Sequence, residues 1–139
     1  MGPTLKASQY ESQAPDERIE GISLLIPLHT RSGFVFLLSR TRKLTPYAEP
    51  LFQLLSDQVH RLAESFGSEA NAQHRFEQFL GALNETLEQQ VRDGRWRVPI
   101  NQFDAIVGIA SEQKMFFSGT GDLCALFLHR KPSQRYQIF

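Results

Sequence analysis

The chain lacks most of the features that would place it in a specialised class of protein. It has one cysteine in 139 residues, which excludes an intrachain disulfide and a cysteine-based metal cage. Its 15 Lys and Arg residues balance its 15 Asp and Glu residues, so no net charge attracts a nucleic acid or an anionic membrane. It has no apolar run near the roughly 20 residues of a membrane-spanning helix, and no signal-peptide core. These absences predict a cytoplasmic protein that binds no nucleic acid.

Residues with reactive side chains are present, but their spacing matches no known catalytic or metal-binding motif. The four histidines fall in a turn, two different helices and a strand end, whereas a zinc site needs three or four convergent donors. The cysteine, Cys124, lies in an apolar strand and is expected to pack as a small hydrophobe. No serine lies in a G-x-S-x-G context. The sequence therefore predicts no catalytic residue, no metal site and no cofactor.

The hydrophobic pattern predicts a flexible leader over residues 1–20 and a single α+β domain over 21–139. Two apolar runs flank the turn-forming residues 30–33, which is typical of a β-hairpin. Both runs are almost continuously apolar, so these strands should be covered on both faces. Pro27 lies inside the first run, and a proline places that strand at a sheet edge or a bulge.

Two amphipathic helices follow the hairpin. Apolar residues at helical spacing predict the first over 46–66, with Thr45 as its N-cap. The second is expected to begin at Ser68 and to end at Asp93 and Gly94.

A meander of strands completes the predicted order. We expect strands over 103–110, 115–118, 123–130 and 136–139. The order of strand pair, helix pair and meander is an α+β pattern, with antiparallel strands and a two-helix layer. In this arrangement the apolar helix faces should pack on the later strands. The helical set is Leu55, Val59, Leu62, Phe76, Leu80, Leu83 and Leu87, and the strand set is Ile106, Ile109, Phe116, Leu126 and Leu128.

Gly119, Gly121 and Asp122 form the most glycine-rich segment of the later strands. A phosphate-binding loop needs a following Lys-Ser/Thr and a helix, whereas this segment precedes a strand. We therefore interpret these residues as a tight turn between antiparallel strands.

Two basic clusters are candidate contacts for an anion or a partner. Arg40, Arg42 and Lys43 belong to a predicted loop between the second strand and the first helix, and three arginines surround Trp96. Three charges contribute little to binding, so solvated loops are the favoured interpretation.

The segment 117–128, FSGTGDLCALFL, resembles the central hairpin of the PPM-type, metal-dependent Ser/Thr protein phosphatases, where a strand leads into N-V-G-D-S-R-A-Y-L. The order of elements is also similar, and the resemblance covers residues 21–139. It implies the N-terminal half of a PPM-like sandwich. In active members the second strand ends in an Asp-Gly motif that binds the bridging metals. Residues 38–43 stand at that place and contain neither acid nor glycine, so the resemblance implies a domain without phosphatase activity.

These observations lead to two functional hypotheses. The first is a non-catalytic, phosphatase-like domain, a pseudophosphatase, that serves protein interaction or regulation. Because a half sandwich would leave an apolar sheet face uncovered, this hypothesis predicts a protein partner or self-association. The alternative is a small α+β module, unrelated to phosphatases, that binds a ligand or an anion through its basic loop.

Overall fold

The computed structural model describes residues 20–29, 31–41, 48–67, 71–95, 103–111, 114–121, 128–130 and 136–138. These residues form six strands and two helices. The elements are β1 (Glu20–Pro27), β2 (Gly33–Thr41), α1 (Ala48–Ser65), α2 (Ala72–Arg92), β3 (Phe103–Ser111), β4 (Lys114–Thr120), β5 (Leu128–Arg130) and β6 (Tyr136–Ile138). The predicted α+β class is confirmed. The predicted leader lies outside the described residues, except for Glu20, which begins β1.

The first four strands form one antiparallel sheet in the order β1-β2-β3-β4. The predicted hairpin is confirmed, and β1, which contains Pro27, is an edge strand as its proline predicts. The two central strands, β2 and β3, pair in the register that places Val35 opposite Ile109. The short strands β5 and β6 form a separate antiparallel pair.

Alternate residues of the sheet point to two different faces. On the inner face, β1, β2 and β3 pack against α1 and α2 in one apolar core that includes Val35, Val107 and Ile109. Both helices pack on this face. The outer face carries the alternate residues of the same strands.

The helix boundaries follow local capping chemistry. Pro50 lies in the first turn of α1, where the lost N–H has no intrahelical partner. The expectation for Thr45 lies outside the described residues. The prediction that α2 begins at Ser68 is wrong, because Asn71 is its N-cap and accepts a hydrogen bond from the backbone N–H of His74 at 3.0 Å. As predicted, α2 ends at Asp93 and Gly94, where the glycine has a φ of 69°.

Most of the predicted core is confirmed. From the predicted set, Leu55, Val59, Leu62, Phe76, Leu83 and Ile109 are buried in the core, and Leu80, Leu87 and Phe116 pack against it. The placement of Ile106 against the helices is wrong: it is buried, but it points to the outer face. Leu126 and the side chain of Leu128 lie outside the described residues.

Candidate functional site

The sequence predicted that Arg40 lies in a basic loop. This prediction is wrong, because β2 continues to Thr41 and includes Arg40. The β2–β3 register places Arg40 opposite Asp104 on the outer face. There the Arg40 Nε donates to the Asp104 Oδ2 at 2.9 Å. The Asp104 side chain is only 1% exposed and that of Arg40 is 37% exposed. The pair is therefore a buried carboxylate covered by a half-exposed guanidinium.

Asp104 makes contacts with two residues of β2, and its buried charge requires one of them, Arg40, as a partner. The Ser39 hydroxyl, itself buried, donates to the backbone carbonyl of Asp104 at 3.2 Å, which ties the two strands together beside the ion pair. A buried carboxylate is costly unless it is paired and hydrogen-bonded. The positive charge of Arg40 thus compensates Asp104, which leaves less of it to attract an external anion.

The turn after β4 lies against the same carboxylate. Gly121 has a φ of +85°, and a Cβ at this position would collide with the Asp104 carboxylate oxygen Oδ1. The predicted turn over residues 119–122 begins too early, because Gly119 and Thr120 are still part of β4. A Cβ on Gly119 would lie 2.9 Å from the Ile106 Cγ1, so this glycine allows close packing of neighbouring strands.

The structure brings together only part of the predicted site. Arg40 and Gly121 meet at Asp104, whereas Arg42, Lys43 and Asp122 lie outside the described residues.

The bridging metals that the PPM resemblance implies do not fit the donors at this end of the sheet. Hard cations need several oxygen ligands, and here the Asp104 carboxylate is bonded to a guanidinium, which would repel them. Within the described part of the chain, no three His, Cys, Asp or Glu residues are grouped so that they could hold a metal ion. The histidines His29, His60 and His74 are exposed.

A cleft of about 270 Å³ lies on the inner face, between the two helices and the strands β2, β3 and β4. Its walls are mainly apolar, and they include Leu83 and Leu87 of α2. Three exposed polar residues also line it: Asn84, Ser118 and Thr120. None of the described lining residues is titratable, so they provide no general acid or base.

The outer face of the sheet has neither of the two described helices packed on it. Leu38 is 44% exposed there, and Met115 and Phe117 are each 53% exposed. Phe36 lies over Gly108 of the neighbouring strand, where a Cβ would collide with its ring. Exposed apolar side chains from β2 and β4 therefore flank a more deeply buried centre on β3, where Ile106 is 5% exposed.

Comparisons with known proteins identify no relative. No family model, curated protein or solved structure gives a significant match to the chain. The two described helices are not long and apolar enough to cross a membrane. The PPM resemblance therefore remains a proposal.

The sequence reasoning missed Asp104. A signal was present: an acid follows Phe103 at the start of an apolar strand, and aspartate is almost never fully buried without a partner. The identity of that partner depended on the β2–β3 register, which joins residues 64 positions apart.

Proposed function

We propose that this chain is a non-catalytic, PPM-phosphatase-like domain that acts by binding other proteins. The observation that supports a binding role is the apolar outer face, on which Leu38, Met115 and Phe117 are about half exposed. Exposed apolar patches on a protein surface mark interaction sites, and these three side chains lie on one face of the sheet. The two helices both pack on the inner face, so neither can shield these side chains.

The charge distribution on the outer face indicates the chemistry of its partner. The one ion pair described there, Arg40 with Asp104, lies at the end of the sheet and its two charges neutralise each other. The middle of the face carries apolar residues, among them Leu38 and Phe117. A complementary partner surface is therefore apolar and uncharged, such as one face of another β-sheet.

The absence of catalysis is part of the same proposal. The place where the phosphatase family is expected to carry a metal-binding acid is occupied by residues 38–43, and Arg40 of this segment is bonded to Asp104. Phosphoester hydrolysis by this family would need two bound cations. The positive charge of a guanidinium in that position opposes their binding.

An activity assay tests the non-catalytic part. We expect no hydrolysis of p-nitrophenyl phosphate or of a phosphopeptide above the level of the heat-denatured chain, with either Mn²⁺ or Mg²⁺ present. Metal-dependent hydrolysis above that level would overturn the non-catalytic part of the proposal.

A matched set of variants tests the binding part. Leu38→Ser and Phe117→Ser each remove an exposed apolar side chain from the outer face, whereas Val91→Ser removes one from α2, where Val91 is 52% exposed. We expect the unchanged chain and the Val91→Ser variant to form a stoichiometric complex with a partner protein. Both outer-face variants should lose that complex. A complex that survives both outer-face changes would contradict the assigned surface.

A further inference from the structure

Among the described strands, β4 is an edge of the four-stranded sheet, and its own residues include few of the features that normally protect an edge. It is seven residues long, contains no proline, and has one charge, on its first residue, Lys114. All its residues are exposed except Phe116, which is half-buried. An exposed apolar edge strand of this length is a template for pairing with another strand.

The opposite edge of the same sheet provides a contrast. β1 contains Pro27, whose missing N–H cannot pair with another strand. Its inward side chains, Ile22, Leu24 and Ile26, pack against the core. Among the described residues, the β1 edge is thus protected by its sequence and its packing, whereas β4 has no proline and a single charge.

We propose that β4 pairs antiparallel with β4 of a second copy of this chain, so that two four-stranded sheets join into one eight-stranded sheet. This pairing goes beyond the proposed binding role, because it joins two copies through the backbone of β4 and does not use the exposed Leu38 side chain on β2. Edge pairing obtains its affinity from backbone hydrogen bonds, and its specificity from the alternate side chains.

The sequence of β4 is compatible with itself in this arrangement. Full overlap of Lys114–Thr120 with its copy places Phe117 opposite Phe117 at the two-fold axis. Lys114 then lies opposite Thr120, so the two lysines are at opposite ends and no like charges face each other. Met115 lies opposite Gly119, which leaves room for the larger side chain.

The proposed pairing also joins the two outer faces. A two-fold axis perpendicular to the sheet keeps the outer face of each copy on the same side. The half-exposed Phe117 side chains would form a cross-strand aromatic pair there, next to Met115 of each copy.

The mass of the full chain in solution tests the proposal. Sedimentation or light scattering over a dilution series should give a species of twice the 15.9 kDa chain mass that dissociates at low concentration. Phe117→Lys should shift the population to monomer, because it places two positive charges opposite each other. Leu38→Lys is the matched control: it adds the same charge to the outer face on β2, which is separated from β4 by β3. Circular dichroism of both variants establishes that they are folded.

A cross-link tests the register. In a Cys124→Ser background, Phe117→Cys should form a disulfide between copies, because directly opposite residues have Cα atoms about 4.5–5.5 Å apart, within disulfide range. Met115→Cys should not, because its copies would lie roughly 14 Å apart along the strands.

The outcomes separate this inference from the proposed function. A chain that is monomeric at all concentrations overturns the pairing of β4, while the test with Leu38→Ser and Val91→Ser still decides the binding role. A dimer that is lost in Leu38→Lys and kept in Phe117→Lys overturns edge pairing and supports association through the outer face.

Discussion

The buried carboxylate of Asp104 determines which residues can surround it. Arg40 supplies the charge, Ser39 ties the adjacent backbone, and Gly121 leaves the space that the carboxylate occupies. These residues come from β2, β3 and the turn after β4, so one side chain organises three neighbouring segments at one end of the sheet. This arrangement accounts for Arg40 and Gly121 through the stability of the sheet, without a ligand.

The requirement for glycine at position 121 gives a prediction with a matched control. Gly121 and Gly94 both have positive φ values, of 85° and 69°. A Cβ on Gly121 would collide with Asp104, whereas a Cβ on Gly94 would meet nothing within 4 Å. Gly121→Ala should therefore lower the free energy of unfolding by about 1–3 kcal/mol more than Gly94→Ala, the usual cost of overpacking. Urea denaturation measures both, and equal losses would show that Asp104 is not in contact with the turn.

Among the elements, α2 shows how one helix divides between the core and solvent. Phe76, Phe79 and Leu83 are buried in the core, and the ring of Phe76 stacks on that of Phe116 in β4, with centroids 6.3 Å apart. The helix borders the cleft through Leu80, Leu83 and Leu87, and nearer its C-terminal end Val91 is 52% exposed. The first half of α2 therefore contributes more packing than the second.

This division predicts different effects of truncation along α2. Leu83→Ala should lower the free energy of unfolding by about 2–5 kcal/mol, because Leu83 is 8% exposed and its removal enlarges the adjoining cleft. Val91→Ala should change it by less than about 0.5 kcal/mol. Thermal or denaturant unfolding compares the two, and an unchanged stability of Leu83→Ala would contradict the assigned buried face.

The sequence pattern was sufficient for the elements with a clear hydrophobic period. The apolar runs of β1 and β2 and the stripes of both helices predicted their existence, and Pro27 predicted the edge position of β1. The hydrophobic pattern did not predict features that depend on pairing with a strand distant in the sequence. Arg40 had no apolar signal, and it is in a strand because that strand pairs with β3. Ile106 belongs to a strand that is apolar on both sides, so alternation could not tell which face it occupies.

For the molecule as a whole, the inner core connects the helices to the sheet. One cluster contains Leu55 and Val59 of α1, Leu83 of α2, Leu37 of β2 and Val107 of β3. Elements that share a core of this kind are expected to lose their structure together. The exposed edge β4 and the end of α2 contribute little to this cluster, apart from Phe116, which packs against it.

This organisation predicts an order of amide hydrogen exchange across the molecule. β3 lies between two strands and is buried along nearly its whole length, so its amides should exchange only when the chain unfolds globally. The buried turns of α1 should show the same opening free energy, because they share the core with β3. The end of α2 should exchange earlier, through local opening. Native-state exchange at increasing denaturant measures these values, and α1 amides that open independently of β3 would show that the helical layer and the sheet are separate cooperative units.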